Sequence, residues 1–526
     1  MKKNIIKTAL AITAGAVVSI LACSCGQKGM VAAVSTEPDS LNPVLPQNTS
    51  ALNINELIYD GLTNNEIDPS SGALYTDFAL ASEIVQGKDR KTYTVTLIDT
   101  TWHDGTALTS EDVVYSFNAY LEPANESPNR EYLNSFIKSV EAVDDKTVVI
   151  VFKNPIPEFR AYPVLATAKI VPSHYNGQAM SLDMRADENT KKFATAPIGT
   201  GPYKFKEWKL GKQVTFDVNG LYFKQVPKSE TLTVKRILDP VVRLQELRKG
   251  RINLILETNP ADRPAIAKIS DVDINSYMPY AFYQVAINTK AFSNAEGRQA
   301  MAMALNKAAL VPGITDVEEG VVINNGPFPS NLFATTIPEY VKEPMPNYLE
   351  YDLDKAKALA ASGNVANQNA VLIYSDSMGE FGNQLAEGVA EQLKEIGLNV
   401  EVRRTGDQVY NRMVYKEKSY ELALQYCDGF DNVYSSIGSM YRSKGADNIT
   451  GIADGKLNSL FDKWDSEVET KNWVDLTLQI NKRVSELCPA LYICTLQKDV
   501  YSRGLGNVTI ASDNAFLSVE DWKFKK

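Results

Sequence analysis

Short segments in which apolar and polar residues alternate recur along the whole chain, a pattern typical of strands that bury one face. The clearest is 92–98, where Tyr93, Val95 and Leu97 fall on one face. Similar patterns or short apolar runs predict further strands at 31–34, 147–152, 214–218, 232–237, 284–288 and 420–425.

Apolar residues at helical spacing predict helices between these strands. The helix that starts near 110 has Thr109 or Ser110 as its cap and two acids in its first turn, where they favour the helix dipole. Further helices are predicted at 52–62, 241–249, 298–310, 354–361 and 382–396. Strands at 371–374 and 398–402 flank the last of these helices. This order favours parallel pairing in an α/β domain.

Composition places the chain among ordinary globular proteins. It has 526 residues, of which 44% are hydrophobic and 22% charged. At roughly 150 residues per domain, about three domains are expected. Neither an internal repeat nor a low-complexity linker interrupts the sequence, so we expect one compact body with several lobes. The net charge of −10 and the absence of a basic run argue against a nucleic-acid partner.

The N-terminal segment has the pattern of a bacterial export signal. Lysines at positions 2, 3 and 7 precede an apolar stretch at 9–21. The stretch is shorter than the roughly 20 residues of a membrane span, but it suits a signal peptide. Cys23 follows Ala22 directly after it. This arrangement resembles the bacterial lipobox, in which the thiol of the Cys takes a lipid through a thioether.

We therefore expect residues 1–22 to be removed, Cys23 to carry a lipid, and 23–29 to form a tether. Cys25, which follows Ser24, is the alternative lipidation site. An ordinary signal peptide with a chance Cys is the other explanation. The lipid would be the membrane anchor, because no other apolar run reaches about 20 residues.

Residues suited to catalysis or metal binding are scarce. The chain has only two histidines, His103 and His174, and neither lies in a zinc-binding or metalloprotease motif. Neither a nucleophile elbow nor a phosphate-binding loop is present. We therefore expect no enzyme activity, no catalytic residue, no cofactor and no metal site. Cys427, Cys488 and Cys494 could form at most one disulfide among themselves, or remain buried free thiols.

A series of phrases in fixed order resembles the extracellular solute-binding proteins of family 5, which include periplasmic oligopeptide- and dipeptide-binding proteins. The phrases are 38–43 (PDSLNP), 58–62 (IYDGL), 102–106 (WHDGT), 108–117 (LTSEDVVYSF), 199–203 (GTGPY), 298–300 (RQA), and Pro489 with Tyr492. Taken by themselves, His103 and the turn at 199–203 favour an architectural role over ligand binding, because Gly and Pro there suit tight backbone geometry.

The resemblance implies an α/β periplasmic-binding-protein fold with two hinged lobes, one of them enlarged by an extra domain. Ligand would lie in the cleft between the lobes, which close by a hinge motion. Domain I would comprise 30–50, 165–275 and 492–526, domain II 51–164, and domain III 276–491. The closed form would dock, as a monomer, on the permease of an ABC importer.

The resemblance also implies a peptide site. Asp428 matches the position that pairs with the peptide's α-amino group, and Asp431 keeps the acid three residues further on, although Asn432 replaces the usual Pro. Backbone pairing with the peptide is expected at two short segments. These are Leu424, Gln425 and Tyr426 in domain III, and Gln47, Asn48 and Thr49 in domain I.

Other ligands remain open. Members of the family also carry oligosaccharides, nickel complexes and opine-like solutes, and the scarcity of histidine disfavours nickel. A surface hydrolase or a signalling receptor is the third alternative. The expected location is the cell envelope, either in the periplasmic space or on the outer face of the cytoplasmic membrane.

Overall fold

Two large sheets dominate the structure, a computed structural model that describes residues 29–68, 74–258, 262–311, 320–329, 345–428 and 433–525. The predicted signal peptide, both candidate lipidation sites Cys23 and Cys25, and Asp431 lie outside these residues. Among the described strands, seven form the first-lobe sheet, in the spatial order Tyr203–Lys209, Gln213–Val218, Thr231–Arg236, Gly29–Val34, Leu254–Ile255, Lys498–Arg503 and Val272–Tyr277.

The second-lobe sheet contains six described strands, in the order Val321–Ile323, Ala490–Leu496, Phe282–Ile287, Leu422–Cys427, Asn369–Ser375 and Asn399–Thr405. A small antiparallel sheet contains Ala81–Gln86, Thr92–Leu97, Thr147–Phe152 and Ile137–Asp144. Three further strand pairs are Thr63–Ile67 with Leu74–Phe78, His174–Tyr175 with Gln178–Ala179, and Leu505–Gly506 with Lys523–Phe524.

Helices cover the faces of the sheets. The α-helices are Thr49–Ile58, Ser110–Leu121, Arg130–Phe136, Glu158–Thr167, Glu188–Phe193, Pro240–Arg248, Arg263–Ile266, Ala295–Met303, Lys307–Leu310, Leu353–Ser362, Gly379–Lys394, Asp407–Asn411, Val433–Tyr441, Gly455–Ser466 and Thr470–Leu487. Short 3-10 turns lie at Pro123–Asn125, Asp376–Met378 and Ala515–Asp521, and a π-helical turn at Arg412–Glu417.

The predicted strand–helix–strand unit is confirmed. Asn369–Ser375 and Asn399–Thr405 pair in parallel, and Gly379–Lys394 connects them. The helix buries Leu385, Val389 and Leu393, which recur every four residues on one face. Burial of this apolar stripe holds the helix against the sheet.

The helix predicted at 298–310 is interrupted. It consists of Ala295–Met303 and Lys307–Leu310, separated by a break at Asn306. The Asn306 side chain accepts a hydrogen bond from the backbone amide of Ala309 (3.2 Å). The backbone amide of Asn306 donates to the Gln392 side chain (2.7 Å). Asn306 therefore starts a new helix instead of continuing the old one, because Asn competes with the helical backbone for hydrogen bonds.

Three of the phrases that carry the family resemblance, 58–62, 102–106 and 199–203, pack against one another in the first lobe. Asp60 accepts a hydrogen bond from the Thr200 hydroxyl at 2.8 Å. The His103 ring accepts from the Gly199 amide (3.1 Å) and bonds the Gly201 carbonyl (3.0 Å). These contacts agree with the architectural interpretation of His103 and of the turn at 199–203.

The three largest hydrophobic cores of the described residues support the sheets. One lies under the first-lobe and small sheets, and another surrounds the second-lobe sheet. A third core joins the two lobes, since it combines Ile67 and Leu517 with Phe282 and Trp473. Within the part of the chain that the structure describes, Cys427, Cys488 and Cys494 are buried and free, so the free-thiol alternative holds.

Candidate functional site

The chain crosses between the two large sheets at two adjacent places. Val272–Tyr277 leads into Phe282–Ile287, and Ala490–Leu496 leads into Lys498–Arg503. Tyr277 stands opposite Lys498 in the first-lobe sheet. The Thr495 hydroxyl donates to the Ala281 carbonyl at 2.6 Å, which ties the two crossings together. Residues around this junction are therefore positioned by both lobes.

The strand Leu422–Cys427 carries the second-lobe part of the predicted site. Along one edge it pairs with the antiparallel strand Phe282–Ile287 over its full length. Along the other edge, the described ladder with Asn369–Ser375 includes only Leu422 and Ala423. The Leu424 carbonyl accepts a hydrogen bond from the Tyr410 hydroxyl at 2.6 Å. Residues 424–427 therefore extend beyond the last residue of this strand that pairs with Asn369–Ser375.

Gln425 and Tyr426 use their side chains inside the second lobe. The Gln425 amide oxygen accepts from Gln284 (2.8 Å), and its nitrogen donates to the Tyr415 hydroxyl (3.0 Å). The Tyr426 ring contacts the Tyr283 ring, with centroids 4.9 Å apart. Recognition of a ligand at Gln425 would therefore use the backbone, as the sequence analysis expected.

Asp428 follows the strand directly and is exposed. Partial desolvation by the surrounding protein raises the pKa of its carboxyl above the ordinary value. The negative charge of Asp513 raises it further, and the positive charge of Lys498 opposes both effects. Asp428 is therefore a carboxylate that would gain from a cationic partner.

A second group of charged side chains, which no sequence pattern predicts, lies near Asp428. The Lys498 ammonium donates to Asp513 at 2.7 Å and lies 5.2 Å from the centre of the Tyr426 ring. The Tyr277 hydroxyl donates to the same oxygen of Asp513 at 2.6 Å. Lys498 and Asp513 belong to neither a motif nor a charge run. The pairing of Tyr277 with Lys498 brings Lys498 to the site, and hydrogen bonds to both side chains hold Asp513 there.

Gln47, Asn48 and Thr49 lie in the first lobe, at the start of the helix Thr49–Ile58. Asn48 is the N-cap, and its side chain accepts from the Ala51 amide (3.0 Å) and donates to the Glu37 carbonyl (2.7 Å). Gln47 exchanges hydrogen bonds with Asn55. Thr49 is exposed and is the first residue of the helix. Of the three predicted residues, only Gln47 and Asn48 therefore lie before the helix.

The first-lobe segment is connected to the charged group through the C-terminal part of the chain. The Asn53 side chain accepts from the Ala515 amide at 2.7 Å. Ala515 follows Asp513 by two residues, and Asp513 holds Lys498 over Tyr426. Leu424, Gln425, Tyr426 and Asp428 therefore lie at the end of one strand. The contacts of Asp513 and Ala515 link this strand end indirectly to the helix that follows Gln47 and Asn48.

Metal-binding clusters are absent from the described ranges. Groups of three or more His, Cys, Asp or Glu side chains that could hold a metal ion do not occur there. His103 is occupied by the backbone of Gly199 and Gly201. In the same ranges, every helix is too short or too polar to cross a membrane.

Comparison with known proteins identifies the class. The oligopeptide-binding protein AppA of Bacillus subtilis is 27% identical over 382 residues, which cover 70% of this chain and 67% of AppA. The di/tripeptide-binding protein 2 of Pseudomonas aeruginosa is 27% identical over 312 residues, and the match covers 56% of each chain. These relatives are named as binding proteins.

Solved structures show the same fold. The ABC transporter substrate-binding protein CtaP of Listeria monocytogenes superposes with a TM-score of 0.81 at 24% identity, covering 95% of this chain and 99% of CtaP. AppA of Bacillus subtilis in complex with a nonapeptide gives a TM-score of 0.74 at 21% identity, covering 95% and 99%. The fold is thus the two-lobed α/β fold of periplasmic binding proteins, as the sequence predicted.

The profile of the bacterial extracellular solute-binding proteins, family 5 Middle, matches residues 78–448. This chain belongs to that family of solute-binding proteins.

Proposed function

We propose that this protein captures short peptides between its two lobes and delivers them to the permease of an ABC importer. The observation that carries the proposal is the position of Asp428. Its partly desolvated carboxylate follows the strand Leu422–Cys427, which extends beyond the last residue that pairs with Asn369–Ser375. An ammonium group would bind the carboxylate by a charge-assisted hydrogen bond. The peptide backbone would extend the sheet from Leu424 to Tyr426.

The relatives support the class of ligand. AppA is named an oligopeptide-binding protein, and its solved structure holds a nonapeptide. DppA of Helicobacter pylori, with a TM-score of 0.73 at 20% identity, was solved with the peptide STSA. Gln47, Asn48 and Thr49 would contact the peptide from the first lobe, and hinge closure would bring the two segments together.

The proposal extends to export and anchoring. Residues 1–22 would direct export, and Cys23, or alternatively Cys25, would carry the lipid. The protein would then work as a monomer on the cell envelope. We also propose a domain division close to the sequence-based one, with its last boundary at Gln497, because Ala490–Leu496 lies in the second-lobe sheet and Lys498–Arg503 in the first-lobe sheet.

The first test is native mass spectrometry of protein purified without refolding. A ladder of masses that matches short peptides supports the proposal and gives the ligand length. A single non-peptide mass would instead favour another solute on the same fold, such as an oligosaccharide.

The second test addresses the anchor. Peptides identified in this way are titrated by calorimetry with their amino group free and with it acetylated. Asp428→Asn should weaken binding of the free peptide by about tenfold or more, and acetylation should have a similar effect on the wild-type protein. Asp99→Asn is the control, because Asp99 is 98% exposed and pairs only with Lys146 among the ion pairs of the described residues. Equal affinities of wild-type protein and Asp428→Asn would refute the anchor.

A further inference from the structure

We propose that Asp513 is a positioning residue that holds the Lys498 ammonium away from Asp428, so that the Asp428 carboxylate stays available for the α-amino group of a peptide. This inference rests on the proposed function. It assigns a role in ligand selection to a pair of residues in the C-terminal part of the chain.

The geometry of Asp513 is fixed by two donors. One oxygen of its carboxylate accepts from the Lys498 ammonium at 2.7 Å and from the Tyr277 hydroxyl at 2.6 Å. Tyr277 and Lys498 are opposite residues of adjacent antiparallel strands, so their side chains project from the same face of the sheet. Asp513 therefore bridges two side chains that the strand register places next to each other.

Lys498 is close to the proposed anchor. Its ammonium lies 5.2 Å from the centre of the Tyr426 ring, and Tyr426 precedes Asp428 by two residues. A lysine side chain is long and flexible and carries a compact charge. Without Asp513, the Lys498 ammonium could turn to Asp428, a carboxylate that already lies within reach of its positive charge. Lys498 would then occupy the place that the ligand's amino group needs.

The balance of charge points in the same direction. Asp428, Asp513 and Lys498 together carry two negative charges and one positive charge. The Lys498–Asp513 pair is satisfied internally, which leaves one carboxylate for a ligand with one ammonium group. A bound peptide with an uncharged or acetylated N-terminus would cover Asp428 and leave it unpaired, and an unpaired charge that is shielded from water is unfavourable. The arrangement would thus select ligands with a free amino group.

The test uses isosteric substitutions in the full protein and a titration with a peptide known to bind the wild type. Asp513→Asn keeps an oxygen for Tyr277 but removes the charge that holds Lys498. We expect the Kd of the free peptide to rise about tenfold. Lys498→Met in the same background should restore the Kd to within about threefold of wild type, because the competing ammonium is gone. The acetylated peptide should respond weakly to either change.

Two controls separate this inference from other effects. Asp273→Asn removes a carboxylate of another ion pair of the first-lobe sheet, the one with Lys525, and should leave the Kd unchanged. Lys498→Met alone should bind the peptide at least as tightly as the wild type. This single variant tests the inference even if Asp513→Asn does not fold.

Each alternative outcome has a definite meaning. If Asp428→Asn weakens binding but Asp513→Asn does not, the anchor stands and the role of Asp513 is refuted. Failure of Lys498→Met to rescue the Asp513→Asn variant, or weaker binding by Lys498→Met alone, also refutes it. If wild-type protein binds no peptide, the proposed function itself fails, and this inference fails with it.

Discussion

The Arg160 guanidinium bonds the carbonyl of Trp464 at 2.9 Å and lies 5.4 Å from the centre of the Trp464 ring. Arg160 belongs to the helix Glu158–Thr167 and Trp464 to the helix Gly455–Ser466. The same guanidinium donates to the Asp465 carbonyl at 3.0 Å. One buried cation thus bonds two carbonyls in the last turn of a helix that is distant in sequence.

Replacement of Arg160 by Met should destabilise the protein. The carbonyls of Trp464 and Asp465 would lose their donor, and the ring would lose its cation, while the volume of the side chain would be largely kept. We expect the free energy of unfolding to fall by about 2–4 kcal/mol, measured by urea denaturation. Arg185→Met is the matched control, because Arg185 forms an exposed ion pair with Glu126, and it should cost under about 1 kcal/mol. Equal losses in the two variants would contradict the assignment.

Acid should destabilise the fold through His103. Desolvation lowers the pKa of His103 to about 4, against about 6.5 in an unfolded chain. The neutral ring accepts from the Gly199 amide, and protonation would place two donors face to face. The unfolded state binds the proton first, so the contribution of His103 to stability is complete above about pH 6.5 and decreases as the pH falls toward 4.

Urea denaturation across this range checks the prediction. His103→Gln should show a shallower loss of stability between about pH 6.5 and 4 than the wild type. His174→Gln is the comparison variant, because it removes the other histidine of the chain at a more exposed contact with Asp104. Parallel curves for wild type and His103→Gln would show that another group is responsible.

A side chain at Gly199 should not be tolerated. A Cβ atom there would lie 1.8 Å from the carbonyl oxygen of Ile58, which is backbone and cannot move aside. We expect Gly199→Ala to reduce the free energy of unfolding by about 3 kcal/mol. Gly220→Ala serves as the control, because its Cβ would meet nothing within 4 Å. A Gly199→Ala variant as stable as Gly220→Ala would mean that the two segments are not in contact.

The three buried cysteines should resist alkylation in the native protein. Burial raises the pKa of Cys488 and of Cys494 to about 12 and that of Cys427 well above its ordinary value, and the thiolate is the reactive form. Peptide mapping after iodoacetamide treatment should find these thiols unmodified until denaturant is added. A thiol that stays unmodified in denaturant, but reacts after reduction, would reveal a disulfide instead.

The sequence predicted the class of fold well, because the strands are short periodic segments and the family phrases recur in order. It predicted the parallel unit around the helix Gly379–Lys394 for the same reason. It placed the strand 420–425 two residues early, since Tyr420 is also apolar and buried and the described strand is Leu422–Cys427. A local pattern does not distinguish a buried residue inside a strand from one just before it.

The site was predictable only in part. Asp428 followed from resemblance, and the structure places it at the end of a strand as expected. Lys498 and Asp513 could not be predicted, because their proximity to Asp428 depends on the register between strands that are more than 200 residues apart. The same holds for Arg160, whose partners lie about 300 positions further along the chain.

The position of Lys498–Arg503 in the first-lobe sheet has a consequence for the order in which the protein can fold. This strand lies between Leu254–Ile255 and Val272–Tyr277, yet it is the last strand of that sheet to be synthesised. As the chain emerges from the ribosome, the second lobe has all its described strands before the first lobe can close its sheet. Nearly the whole polypeptide must therefore be available before the first lobe is complete, so the first lobe cannot finish folding ahead of the second.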